Sequence, residues 1–107
     1  MKLIKTSKYK RDCKKLASKH QTKELETLTK IEALLIASNN LQDTINNTLA
    51  KIYHLEKKKG NLKELFTARL NNKTRIFLKP IGTYPYQLSD ILEIELVEID
   101  DKHYKEG

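Results

Sequence analysis

Residues 62–79 read LKELFTARLNNKTRIFLK, the part of the chain whose pattern is most informative about its architecture. Phe66, Ala68 and Leu70 alternate with polar side chains, and the alternation resumes at Arg75 after the polar run of residues 71–73. Alternation on both sides of a short polar turn is typical of a β-hairpin. The sequence therefore predicts two antiparallel strands joined by a three-residue turn.

The chain before this hairpin follows a helical period. Apolar residues recur at three- and four-residue steps in residues 8–19, 22–40 and 41–56, which predicts three amphipathic helices. Residues 2–6 are compatible with a short edge strand, and residues 91–99 alternate as a further strand. This order predicts one α+β domain over residues 1–107, in which N-terminal helices pack on a twisted antiparallel sheet of three to four strands.

Composition excludes several classes of protein. No uncharged run exceeds ten residues, which is too short to span a membrane, and the N-terminal residues lack the apolar stretch of a secretory signal. We therefore expect a cytoplasmic protein. The single cysteine, Cys13, cannot form an internal disulfide, and three scattered histidines offer no metal-binding spacing.

The charge is large and segregated. Twenty-one Lys and Arg residues against fourteen Asp and Glu residues give a net charge of +7. Residues 1–23 carry nine basic residues and one acidic residue, and residues 51–79 carry nine and two, whereas residues 80–107 carry two and seven. Two basic blocks favour a polyanionic partner, although lysines also keep small domains soluble.

The predicted turn places Leu70 opposite Thr74, and Arg69 opposite Arg75 on one face of the hairpin. Like charges directly opposite each other are destabilising. One of two alternative groups is expected to compensate for them. One is a pair of carboxylates on the last strand, Glu93 and Glu95, and the other is an anionic ligand such as phosphate.

Other charged and titratable residues are weaker candidates. Lysines cluster near the end of the third predicted helix, where they are either a solvated tip or contacts for RNA: Lys57, Lys58, Lys59 and Lys63. His103 and Tyr104 follow the last predicted strand and are able to move protons, or are simply surface residues. His54, beside Glu56, is explained as well by helix capping as by catalysis.

Four segments together resemble the RelE/HigB/YoeB superfamily of bacterial type II toxins. They are residues 60–62 (GNL), 65–70 (LFTARL), 73–76 (KTRI) and 95–99 (ELVEI), followed by a terminal His. The resemblance covers residues 56–104. It departs from the family pattern in a longer loop over residues 80–89 and in Lys102, which occupies the middle position of the family's Asp-Tyr-His register.

The resemblance implies a metal-independent endoribonuclease that cleaves messenger RNA on the ribosome and needs no cofactor. By position, Arg75 matches the arginine that stabilises the phosphate, and Arg69 matches a supporting arginine. Glu56 falls where family members place a general base, with His54 as the near alternative. His103 and Tyr104 match the terminal pair, and which of them is the acid stays open.

The resemblance also implies partners. They are a cognate antitoxin, of a DNA-binding HigA-like type, and the A site of the small ribosomal subunit with its messenger RNA. Basic residues would contact RNA backbone: Lys57, Lys58, Lys59, Lys63 and Lys79. The alternatives are a non-catalytic inhibitor like ParE, a degenerate toxin that only binds a partner protein or RNA, and a basic RNA-binding protein without an antitoxin.

Overall fold

The computed structural model describes residues 1–100, which form a sheet with helices packed on one face. The helices are α1 (Ser7–Ser18), α2 (Thr22–Ala37), α3 (Leu41–Asn46) and α4 (Thr48–Ile52). The first two predicted helices are confirmed within a few residues. None of the helices in this part of the chain is long and apolar enough to cross a membrane.

The third predicted helix is wrong in its length and continuity. The apolar period continues through residue 47, but Asn47 adopts an extended conformation, and its side chain accepts a hydrogen bond from the backbone N–H of Leu49 at 2.9 Å. An asparagine in this position caps the start of a new helix, so the segment divides into α3 and α4. The chain then leaves α4 through His54, which has a positive φ of 52°. Glu56 consequently belongs to a strand rather than to a helix.

The sheet has five strands within the described residues, in the order β1-β5-β4-β3-β2. They are β1 (Lys2–Lys5), β2 (Glu56–Lys57), β3 (Phe66–Arg69), β4 (Arg75–Pro80) and β5 (Glu93–Asp100). Short 3₁₀ turns cover Gly60–Leu62 and Leu88–Asp90. The predicted α+β class is confirmed. The expectation of three to four antiparallel strands is wrong, because β2 adds a short edge strand and β1 pairs with β5 in parallel.

The core lies between the helices and one face of the sheet. Alternate residues of β3, β4 and β5 enter it, including Ala68, Ile76 and Leu96, and they meet the apolar stripes of α1 and α2. Tyr9 of α1 is fully buried in this layer, and its hydroxyl donates to Oε2 of Glu32 at 2.6 Å. Burial and the neighbouring carboxylate raise the pKa of Tyr9 far above its usual value. The opposite face of β3 and β4 is left without a helix layer.

Candidate active site

Arg69 and Arg75 lie opposite each other on β3 and β4, as the turn length predicts. The backbone N–H of Leu70 donates to the carbonyl oxygen of Thr74 at 2.8 Å, which closes the three-residue turn. Directly opposed residues of an antiparallel pair project from the same face. Since their neighbours Ala68 and Ile76 enter the core, the two arginines belong to the face away from the helices, here called the arginine face.

The turn that sets this register is held by one side chain. Oδ1 of Asn71 accepts hydrogen bonds from the backbone N–H groups of Lys73, at 2.7 Å, and Thr74, at 2.8 Å. Nδ2 of Asn71 donates to Oε2 of Glu24 on α2 at 2.6 Å. The turn is therefore ordered internally and tied to the helix layer, which fixes the position of the arginine-bearing hairpin relative to the core.

A row of four residues crosses the arginine face in register: Glu56, Thr67, Phe77 and Glu98. It places one carboxylate on each side of the hairpin. Arg75 lies two residues along β4 from Phe77, so the Cα atoms of Glu56 and Arg75 are about 12 Å apart by ordinary sheet spacing. Two long side chains at that separation can converge on a single group held between them.

A groove of about 880 Å³ lies on the arginine face. Glu56 and Arg75 contribute to it together with the residues that lead out of β2, namely Lys57, Lys58 and Lys59. Phe77, Leu62 and Leu65 supply apolar surface, and Glu98 stands on the side of β5. The structure therefore brings five of the predicted site residues into one concave surface, called here the arginine groove.

Arg69 lies beside the arginine groove rather than among the residues that line it. Its backbone N–H donates to the carbonyl oxygen of Tyr53 at 2.7 Å, which anchors β3 to the chain leaving α4. Within residues 1–100, its Nε is buried and has no hydrogen-bond partner. A buried donor without an acceptor is costly.

The remaining predicted lysines lie elsewhere. Lys63 lines a second cavity and not the arginine groove. Lys79 is exposed towards the far end of β4, where it lies opposite Glu95. The predicted RNA-contacting lysines are thus divided over three places on the surface.

The expectation that Glu93 and Glu95 balance the two arginines is wrong. Glu95 is in register with Lys79, and Glu93 lies 3.8 Å from the Nζ of Lys2. The residue in register with Arg75 is Asp100. The pairing of β4 with β5 runs further towards the end of β5 than the sequence pattern suggests, with an irregularity between Phe77 and Leu78.

Of the predicted histidine and tyrosine site residues, His54 alone falls within residues 1–100. His54 is exposed and does not line the arginine groove. His103 and Tyr104, with Lys102, lie outside the described residues. In residues 1–100, no three His, Cys, Asp or Glu side chains lie together in a way that could hold a metal ion.

Sequence reasoning did not single out Phe77 and Glu98 for the site. Phe77 shares the parity of Arg75 on β4, so an aromatic residue on an otherwise polar face was a usable signal for a covered groove floor. For Glu98, the signal was the apolar pair Leu96-Val97, which interrupts the alternation of β5. Such an interruption is typical of a β-bulge.

No protein-family model matches the sequence, and no curated protein matches it. Solved structures do match the fold. A YoeB/ParE toxin from Agrobacterium tumefaciens superposes with a TM-score of 0.62 and 15% identity, over 97% of this chain and 100% of that one. YafQ from E. coli strain BL21(DE3) superposes with a TM-score of 0.57 and 16% identity, over 92% of this chain and 90% of that one.

A third match is YafQ within the E. coli DinJ–YafQ complex, with a TM-score of 0.57 and 14% identity over 92% of this chain and 90% of that one. The chain therefore has the same fold as these YoeB/ParE and YafQ toxins, which confirms the fold that the sequence resemblance implies. At these identities the likeness establishes the fold alone.

Proposed function

We propose that this chain is the toxin of a type II toxin–antitoxin system and that it cleaves messenger RNA on the ribosome. The observation that carries the proposal is the arginine groove, a concave surface lined by Arg75 and Glu56 together with Lys57, Lys58 and Lys59. The shared fold with YoeB/ParE and YafQ toxins supports the same reading.

The reaction is the attack of a ribose 2′-OH on the adjacent phosphate. Glu56 takes the proton of the 2′-OH as the O2′–P bond forms, and Arg75 stabilises the negative charge that develops on the phosphorane oxygens. Arg69 adds a second guanidinium beside Arg75. The P–O5′ bond then breaks, and the leaving oxygen receives a proton to give a 2′,3′-cyclic phosphate and a 5′-OH.

The acid for the leaving oxygen is His103 or Tyr104, as the family resemblance implies. The three lysines that rim the groove bind backbone phosphates of messenger or ribosomal RNA, and Lys63 and Lys79 bind RNA backbone at two separate places on the surface. Contacts of this kind position the strand without reading its sequence, and they weaken steeply with added salt.

An antitoxin completes the system. YafQ is seen in a DinJ–YafQ toxin–antitoxin complex, and a protein partner of the same role, with a DNA-binding HigA-like fold, is proposed for this chain. It would act by covering the arginine groove and neutralising its cations.

The test is induced expression of the wild type and of Arg75→Ala in growing cells. Growth arrest, together with new 5′-OH ends on translated messenger RNA, is expected for the wild type and absent for Arg75→Ala. Lys30→Ala is the matched control, because Lys30 is an exposed cation on α2 in the helix layer. It should arrest growth like the wild type.

A second candidate function is a non-catalytic inhibitor like ParE, whose name the Agrobacterium neighbour also carries. Growth arrest without RNA cuts, unchanged in Arg75→Ala, would favour this candidate. No arrest by the wild type would contradict both and leave a degenerate toxin or a simple RNA-binding protein.

A further inference from the structure

A second cavity, of about 360 Å³, lies next to the arginine groove and shares Glu56 and Lys57 with it. Because its lining includes Phe66 and Leu55, which pack with the core, it opens on the helix side of β2. The loop between β4 and β5 closes it with Tyr84 and Tyr86. We call it the tyrosine cavity.

The two tyrosines have different roles. The hydroxyl of Tyr86 donates to the backbone carbonyl of Glu64 at 2.8 Å, so this ring anchors the loop to the segment that precedes β3. Tyr84 meets Tyr86 edge to face, with ring centroids 5.4 Å apart, and remains 40% exposed. The anchored ring therefore supports an aromatic surface that is open to solvent.

A cation lies at the same place. Nζ of Lys63 is 5.3 Å from the ring centroid of Tyr84, within the range of a cation–π contact. Lys63 is itself exposed, so its ammonium can move from the ring to a phosphate at little cost. An accessible aromatic ring beside exposed cations is the arrangement that binds single-stranded nucleic acid, through base stacking and backbone contacts.

The size of the cavity sets how much of a strand it can take. Its volume is at the low end for small-molecule pockets, which suits one flat heterocycle rather than several. The shared lining residues, Glu56 and Lys57, form the two-residue edge strand β2. A strand that lies in the arginine groove needs only to cross this short edge to reach the tyrosine cavity.

We propose that the tyrosine cavity binds one unpaired base of the same RNA strand whose phosphate lies in the arginine groove. Tyr84 stacks on the base, Lys63 contacts its phosphate, and the strand crosses the edge at β2. This inference rests on the proposed function, since it assumes that RNA occupies the groove. It assigns a role to residues 80–89, the loop that is longer than the family pattern.

The test is equilibrium binding of a fluorescein-labelled, mixed-sequence RNA of ten nucleotides, in which 2′-deoxy substitution prevents cleavage. Tyr84→Ala should weaken binding at least about fivefold, the lower range for loss of one base–aromatic stack. Tyr84→Phe retains the ring and should bind within about twofold of the wild type. Tyr86→Phe loses only the hydroxyl that donates a hydrogen bond to the carbonyl oxygen of Glu64. Its RNA affinity therefore measures the effect of loop anchoring separately from the effect of base stacking.

A second measurement changes the RNA rather than the protein, so its result for the wild-type chain does not depend on how the variants fold. The same RNA is prepared with a single abasic site at each position in turn. An abasic site at one position of the RNA should weaken binding to the wild type. The same abasic site should not weaken binding to Tyr84→Ala any further. If Tyr84→Ala binds like the wild type, or if every abasic RNA affects the two proteins equally, the inference is overturned.

Failure of the proposed function gives a different result. In that case the wild-type chain produces no 5′-OH ends in cells, whether or not it binds the RNA and whatever residue stands at position 84. If the wild type binds the RNA and Tyr84→Ala binds it equally well, only the proposed role of the tyrosine cavity is overturned.

Discussion

The carboxylate of Asp12 accepts a hydrogen bond from the backbone N–H of Ile99 at 2.9 Å, although 87 residues separate them in the chain. The parallel pairing of β1 with β5 ends at Lys5 and Leu96. Beyond that point α1 lies along β5, and Asp12 supplies the acceptor that a strand would otherwise provide. The buried carboxylate also lies 3.0 Å from Nζ of Lys8, one turn earlier on the helix.

Asp12→Ala should lower the free energy of unfolding by about 1–3 kcal/mol, because it leaves the N–H of Ile99 buried without an acceptor. Arg11→Ala removes an exposed charge from the same helix and should change stability by less than about 0.5 kcal/mol. Urea unfolding of the two variants measures the difference. Equal effects would show that Asp12 does not support β5.

Two neighbouring asparagines in the hairpin turn form a matched pair. Asn71→Ala removes both bonds inside the turn and the bond to Glu24, and should cost about 1–3 kcal/mol. Asn72→Ala alters an exposed side chain and should be nearly neutral. Because the turn sets the register of the arginines, Asn71→Ala should also reduce RNA cleavage. Normal cleavage by a destabilised Asn71→Ala would separate the turn from the site.

Replacing Arg69 should increase stability while it reduces activity. Arg69→Met removes a like charge directly opposite Arg75 and a buried Nε without a hydrogen-bond partner, with an expected gain of about 0.5–1 kcal/mol in unfolding free energy. The gain should shrink in 1 M salt, which screens the repulsion. Lys73→Met, in the exposed turn, is the control. A loss of stability in Arg69→Met would mean that the pair is already balanced in the free protein.

Tyr9 should make stability fall at high pH. Its pKa in the folded chain is raised by burial and by Glu32, so above pH 10 the unfolded chain loses the proton while the folded chain keeps it. Below pH 10 both states are protonated and the group contributes no pH dependence. From pH 10 to pH 11 the expected loss is about 1 kcal/mol. Tyr9→Phe should lack this component, as unfolding at the two pH values would show, and parallel curves would contradict the assignment.

The sequence was sufficient where a pattern was long or a turn was short. The stripes of α1 and α2 span several turns, so the helical period predicts them within a few residues. The three-residue turn after Leu70 fixes the register of Arg69 and Arg75 by geometry, and the structure has that register. The central feature of the site was thus readable before any three-dimensional information.

The sequence did not predict the structure where strand pairing with a distant segment overrides the local helical period. Glu56 ends an apolar pattern that predicts a helix, yet it forms a strand because Thr67 is available as its partner on β3. A two-residue strand has no period of its own. The tyrosine cavity was missed for a related reason, since Tyr84 and Lys63 meet only after the loop folds back along the segment before β3.

The order of the strands has a consequence for synthesis of the chain. β5 lies inside the sheet, between β1 and β4, and it is translated after the other four strands. Until it leaves the ribosome, β1 has no partner strand and the core lacks Ile94, Leu96 and Ile99. Pairing over 91 residues, as between Lys2 and Glu93, is also intrinsically slow. A nascent chain that stops before β5 therefore cannot close its sheet, because β1 and β4 have no strand between them.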